Sequence, residues 1–168
     1  MSEMVINKGF WEKLDRPIMG LAPMADVTDP AFRRLVARHG KPDIMFTEFV
    51  SVDGLCSDGK ENLLRDLAYH ESERPIVVQL FGEKPEHFQT CAALAGQLGF
   101  DGIDINMGCP VKAVCKTGSG AALIDNPNLA LEIIEATIAG AGKLPVSVKT
   151  RIGTRKVVLE SWAGTLLS

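Results

Sequence analysis

One thiol in this chain is displayed rather than packed. In "DINMGCPVKAVCKTGSGAAL" (residues 104–123) a strand-like apolar run ends in Asn-Met-Gly-Cys-Pro. Structural cysteines usually sit inside apolar runs, whereas Gly108 and Pro110 mark a turn. Lys112 and Lys116 follow, and their charge could favour a thiolate or bind a phosphate. The competing reading of Cys109 is a small core hydrophobe, the common fate of a free cysteine. The turn frame favours a catalytic role. Cys115 lies in the same segment without that frame and ranks second. "KTGSGAAL" lacks the GxxxxGK[ST] spacing of a phosphate loop, so its glycines point to a mobile, substrate-facing loop.

Other polar residues interrupt apolar runs. Lys149 alternates with apolar neighbours in "VSVKTRIG", and a lysine in a buried parallel strand is costly unless it meets an anion or polar ligand. It reads as a cofactor contact or a Schiff-base lysine, against a side chain that snorkels to the rim. Arg151, two residues on, points to the same face with a planar fork of donors. Gln79 interrupts "IVVQLF". A neutral amide there suits the carbonyl and N–H edge of a heterocycle, the alternative being a bond to neighbouring backbone. Glu48 in "FTEFV" reads as structural, paired with a nearby Arg or Lys. The four cysteines, Cys56, Cys91, Cys109 and Cys115, match no zinc or CxxC spacing, and the histidines are His39, His70 and His87, so no metal is expected.

The elements that must position these groups repeat one grammar. Short apolar runs are expected to be strands at residues 18–24, 43–50, 75–82, 101–108 and 144–153. Helices are expected at residues 30–40, with Asp29 as N-cap and Pro30 at the first position, then at 60–70, 84–99 and 125–142. Phe88, Cys91, Ala92, Ala95 and Leu98 share one face of the third helix. A fifth helix begins at residue 157.

Strands apolar on both faces, each followed by a helix, predict a parallel α/β sheet. A doubly wound sheet favours a GxGxxG turn after the first strand, and "APMADVTDP" has none. A (β/α)8 TIM-type barrel instead sets functional residues at the C-terminal ends of its strands. That layout is present: Met24 and Ala25, Thr47 and Glu48, Gln79, Asn106 and Cys109, Lys149 and Arg151. Eight such units need roughly 250 residues, so 168 residues supply about the first five, an incomplete barrel. The expectation is an N-terminal portion of a longer enzyme, with a self-contained five-stranded open sheet as the alternative.

Composition is that of a globular domain, 46% hydrophobic and 23% charged. No apolar run reaches the roughly 18 residues that cross a membrane, and the first residues carry no signal-peptide pattern. A reduced, cytoplasmic protein is expected. The net charge of −3 lends no support to nucleic-acid binding by bulk charge.

Assembled, these residues resemble the tRNA-dihydrouridine synthase family. The matching segments are "LAPMADVTDPAFR", "FTEFV", "VVQLFG", "DINMGCPVKAVCKTGSGAALI" and "SVKTRIG", in the family's order, across residues 18–153. The fourth is the most specific. Other flavin barrels, such as dihydroorotate dehydrogenases, carry an Asn and a Cys-Pro nearby but not the whole string.

The resemblance implies an FMN-dependent reductase with NADPH as electron donor and tRNA as partner. Hydride would pass from reduced flavin to C6 of a flipped-out uracil, and Cys109 would protonate C5. It places Pro23, Met24 and Ala25 against the isoalloxazine, Gln79 and Lys149 at its polar edge, and Asn106 and Arg151 near the uracil. The family's remaining strands and its C-terminal helical tRNA-binding domain are absent, so a complementing C-terminal segment is a candidate partner. The chain alone is expected to hold FMN poorly. The rivals are a flavin barrel acting on a free pyrimidine, a Schiff-base aldolase using Lys149, and a truncated chain inactive by itself.

Overall fold

The computed structural model describes residues 8–157 and 159–167. Five parallel strands form one sheet in the order β1 (Gly20–Leu21), β2 (Ile44–Ser51), β3 (Ile76–Phe81), β4 (Gly102–Met107), β5 (Val146–Thr150). Spatial order follows chain order without reversal. Right-handed crossovers therefore carry every connecting helix to the same side, which is the winding of a barrel. A doubly wound sheet needs the order to reverse at a switch point. The sheet is the first half of a (β/α)8 barrel, as the strand grammar predicts.

The helices are α1 (Pro30–Gly40), α2 (Val52–Leu55), α3 (Lys60–Asp66), α4 (Pro85–Gln97), α5 (Lys112–Lys116), α6 (Pro127–Ala141) and α7 (Leu159–Leu167). Their starts are chemically marked. Asp29 accepts from the Phe32 amide at 2.7 Å and Pro30 opens α1; Asn126 caps α6 ahead of Pro127. Two short helices were not anticipated. α2 forms in the turn after β2, where the Ser51 hydroxyl accepts from the Gly54 amide. α5 forms in the segment read as a mobile loop. Leu98, placed on the buried face of α4, is instead its C-terminal cap and 37% exposed. Val158 and Ser168, in the predicted last helix, lie outside the described residues. No helix among the described residues is long and apolar enough to cross a membrane.

Alternation along each strand sorts the two faces of the sheet. Ile76, Val78 and Leu80 of β3 and Ile103, Ile105 and Met107 of β4 join Phe88 and Cys91 of α4 and Ile133 of α6 in one buried core. Each large aliphatic or aromatic side chain so buried contributes about 1.5–3 kcal/mol. The helices α4 and α6 approach until a Cβ on Gly140 would run into the Gln89 carbonyl. The last helix docks through buried Trp162, whose Nε1 donates to the Thr150 hydroxyl at 3.0 Å.

The opposite face carries Phe46, Val77, Gln79, Asp104, Asn106, Ser147 and Lys149. It stays closed over β3 and β4 but opens at β5, where Lys149 is exposed rather than enclosed in a buried strand. The pairing of β5 with β4 alone accounts for the difference.

Two devices hold the loop after β1. Arg33, fully buried on α1, bonds Glu73 Oε2 at 2.8 Å, the Thr28 carbonyl at 2.6 Å and the Ala68 carbonyl at 2.6 Å. The second is a bulge in β2: Phe46 and Phe49 face Val77 and Gln79, so β2 carries one extra residue. Within it Thr47 Oγ1 accepts from the Gln79 amide at 3.1 Å. Glu48 turns to accept from the backbone amide of Asp26, not from an Arg or Lys as the sequence suggested. Asp26 itself has φ 58°, a left-handed conformation that an acidic side chain tolerates.

Candidate active site

The C-terminal ends of β3, β4 and β5 converge on the turn that holds Cys109. Asn106, the penultimate residue of β4, turns its side-chain oxygen back to accept from the Gly108 amide at 3.1 Å and the Cys109 amide at 2.9 Å. From the end of β5, Arg151 Nε donates to the Gly108 carbonyl at 2.5 Å. From beyond the turn, the Ala121 amide donates to the Cys109 carbonyl at 3.0 Å. None of these bonds uses the Cys109 thiol, which is left half-buried and free.

The Lys-Gly segment is therefore not a loose loop. It forms α5 and a 3-10 turn (Gly120–Asp125) folded back on Cys109. Gly120 has φ +62°, and a Cβ there would come within 2.8 Å of the Cys109 carbonyl oxygen. That position requires glycine. Lys112 and Lys116 stand exposed at the two ends of α5. Cys115 serves the scaffold: its thiol donates to the Cys109 carbonyl at 3.4 Å.

Behind the turn runs a chain of buried hydrogen bonds. Asn106 Nδ2 donates to Gln79 Oε1 at 3.0 Å, Gln79 Nε2 to Asp104 Oδ2 at 2.5 Å, and the Ser147 hydroxyl to Asp104 Oδ1 at 2.6 Å. The register explains it: Gln79 pairs with Asp104 across β3–β4, and Asp104 with Ser147 across β4–β5. An ionised carboxylate accepts only, so Asp104 fixes which end of the Gln79 amide faces Asn106. That in turn aims the Asn106 oxygen at the Cys109 turn.

Sequence reading missed Asp104 and Ser147. The available signal was Asp104 and Asn106 at i, i+2 on one face of an otherwise apolar strand, with Ser147 and Lys149 repeating the pattern.

Burial pushes the Asp104 carboxyl up to about 6; the Gln79 and Ser147 donors and the charge of Lys149 oppose the shift. The folded state thus keeps a proton that the unfolded chain releases near pH 4. Stability falls as pH rises from about 4 to about 6 and stays lower above that window. The loss is on the order of 2–3 kcal/mol. Asp104→Asn lacks this titration, so wild type is expected to lose that amount relative to the variant between pH 4 and pH 7.5 in urea unfolding. A difference between the two proteins that does not change with pH would show that Asp104 titrates normally.

The remaining predicted residues divide. Pro23 and Lys149, from the first and last strands' ends, line a single cavity of about 300 Å³ with Phe46, Asp104 and Ser147. Lys149 Nζ makes no hydrogen bond or ion pair among the described residues and is the register partner of Asn106. Met24 and Ala25 are exposed on the β1–α1 loop beside Pro23, where the Thr28 hydroxyl bonds both the amide and the carbonyl of Met24. Gln79 is fully buried within the network and does not line the cavity.

Comparison with known proteins gives the family. The chain is 48% identical over 149 residues to a Bacillus subtilis protein named probable tRNA-dihydrouridine synthase 2, covering 88% of this chain and 45% of the relative. It is 46% identical over 149 residues to a Staphylococcus aureus protein named probable tRNA-dihydrouridine synthase, with the same coverage. The chain thus spans about half the length of the curated relatives it matches. The family model described as dihydrouridine synthase (Dus) matches residues 20–161, from β1 into α7. A half-barrel whose thiol turn is gripped from two strand ends, with that match along nearly its whole described length, belongs to the dihydrouridine synthase family.

Proposed function

We propose that the protein takes part in reducing uridine to 5,6-dihydrouridine in tRNA, with FMN as cofactor and NADPH as electron donor. The observation that carries this reading is the grip of Asn106 and Arg151 on the Cys109 turn, which leaves the thiol uncommitted.

The residues fit a flat heterocycle with one polar edge. Pro23 offers apolar surface and Lys149 a cation to one cavity. In this reading Pro23, Met24 and Ala25 flank the ring and Lys149 meets its polar edge. Gln79, buried behind the cavity, acts on the site by orienting Asn106. FMN, when bound, supplies the hydride that uracil C6 receives. Cys109 holds the proton for C5, and its departure leaves a thiolate that solvent reprotonates. Arg151, with donors to spare beyond Gly108, and Asn106 orient the uracil carbonyls. These residues account for the ring contacts and the acid; the cofactor's phosphate and the body of the tRNA are held by others.

Expression of the full-length form in cells deleted for their own dihydrouridine synthases is expected to restore dihydrouridine, measured by mass spectrometry of hydrolysed tRNA. Normal expression with no dihydrouridine at any position would sink the reading. Dihydrouracil formed from the free base instead would favour the free-pyrimidine alternative.

A further inference from the structure

Two cysteines outside the site lie on the helix-covered side of the sheet. Cys56 caps the end of α2 and is exposed; Cys91 sits in α4 and is 2% exposed. They are 35 positions apart in the chain, yet their sulfurs lie 3.9 Å apart. The backbone brings them together through one carbonyl: Val52 O accepts from the Cys56 amide at 3.0 Å and from the Cys91 thiol at 3.7 Å. A groove of about 500 Å³ is lined by Lys60, Cys91, Leu94 and Gly140.

We propose that Cys56 and Cys91 form a redox modification site that closes to a disulfide when the protein meets a hydroperoxide. Cys56, as thiolate, attacks the O–O bond; hydroxide leaves and Cys56 becomes a sulfenic acid. Cys91 gives up its proton and attacks the Cys56 sulfur, the S–O bond breaks and water leaves. Two thiols are oxidised to one disulfide and one hydrogen peroxide is reduced to two waters.

Exposure sets the order of events. Burial pushes the Cys91 thiol up to about 12, so it is a poor first nucleophile, while Cys56 meets the oxidant directly. Once Cys56 is oxidised the second step is intramolecular, and the 3.9 Å between the sulfurs must close to a bond of about 2.05 Å. Cys109 and Cys115 lack this relation, because the Cys115 thiol is turned to the Cys109 carbonyl. The bridge would fasten α2 to α4 and leave the Cys109 turn untouched.

The full chain, treated with hydrogen peroxide, alkylated, digested and analysed by mass spectrometry without reduction, tests this. The expected product links the Cys56 peptide to the Cys91 peptide, with two hydrogens fewer than their sum, and dithiothreitol separates them. Cys56→Ser, a change at an exposed position, is expected to give no link and to leave Cys91 a thiol that alkylates only after unfolding. Cys91→Ala is expected to stop at a Cys56 sulfenic acid trapped by dimedone. The proposal is overturned if Cys56 is oxidised without linking to Cys91, or if a Cys109–Cys115 link forms first.

Discussion

Arg33→Ala is expected to lower the free energy of unfolding by about 3–5 kcal/mol. The guanidinium is fully buried and satisfies Glu73, Thr28 and Ala68 at once. Its removal strands the Glu73 carboxylate, with only the His70 amide at 2.9 Å to answer it among the described residues, and leaves two carbonyls short of a donor. Replacing both partners, Arg33→Met with Glu73→Met, is expected to recover part of the loss, because no uncompensated charge remains. Recovery stays partial because the Thr28 and Ala68 carbonyls still lack Arg33. Urea unfolding of the two variants checks both amounts, and a loss below about 1 kcal/mol for Arg33→Ala would place the pair among weak surface contacts. The damage should spread to the β1–α1 loop, since Thr28 anchors Met24 through its hydroxyl.

Cys109→Ala is expected to cut dihydrouridine formation by about 10²–10⁴-fold, the range for a positioned general acid. The turn bonds through backbone atoms, so alanine leaves its geometry intact. Cofactor affinity should hold while the rate falls, which separates loss of the proton donor from loss of the site. Cys115→Ala removes a single weak thiol bond to a carbonyl and is expected to change the rate only a few-fold. Single-turnover oxidation of the reduced flavin by tRNA measures the step, and an unchanged rate in Cys109→Ala would take the residue out of its proposed role.

Strand positions and the longer helices were legible because their signals are local. Asp29-Pro30 and Asn126-Pro127 state where helices begin, and apolar runs state where strands lie. The turn at Cys109 was legible for the same reason: Gly108 and Pro110 flank it in sequence. What escaped depends on strands meeting. Asp104 reads as an ordinary interruption until the register sets it opposite both Gln79 and Ser147. The partner of Glu48 depended on a bulge that turns the side chain toward the preceding loop. A carboxylate in an apolar strand shows that a partner is required, but its identity is set by three-dimensional pairing. The segment after Cys109 misled because glycines at positive φ build a tight, ordered reversal as readily as a free loop.

The one-sided winding of the sheet has a further consequence, for how such a protein can change. In β4 the odd positions, Ile103, Ile105 and Met107, answer to the helical layer, and the even ones, Asp104 and Asn106, to the inner face. β3 shows the same division with the parity exchanged: Ile76, Val78 and Leu80 outward, Gln79 inward. Alternate letters of one short word thus fall under separate selective regimes. Chemistry can drift at one set of positions while the other holds the architecture constant, and a library confined to inward letters would search new reactions on an unaltered frame.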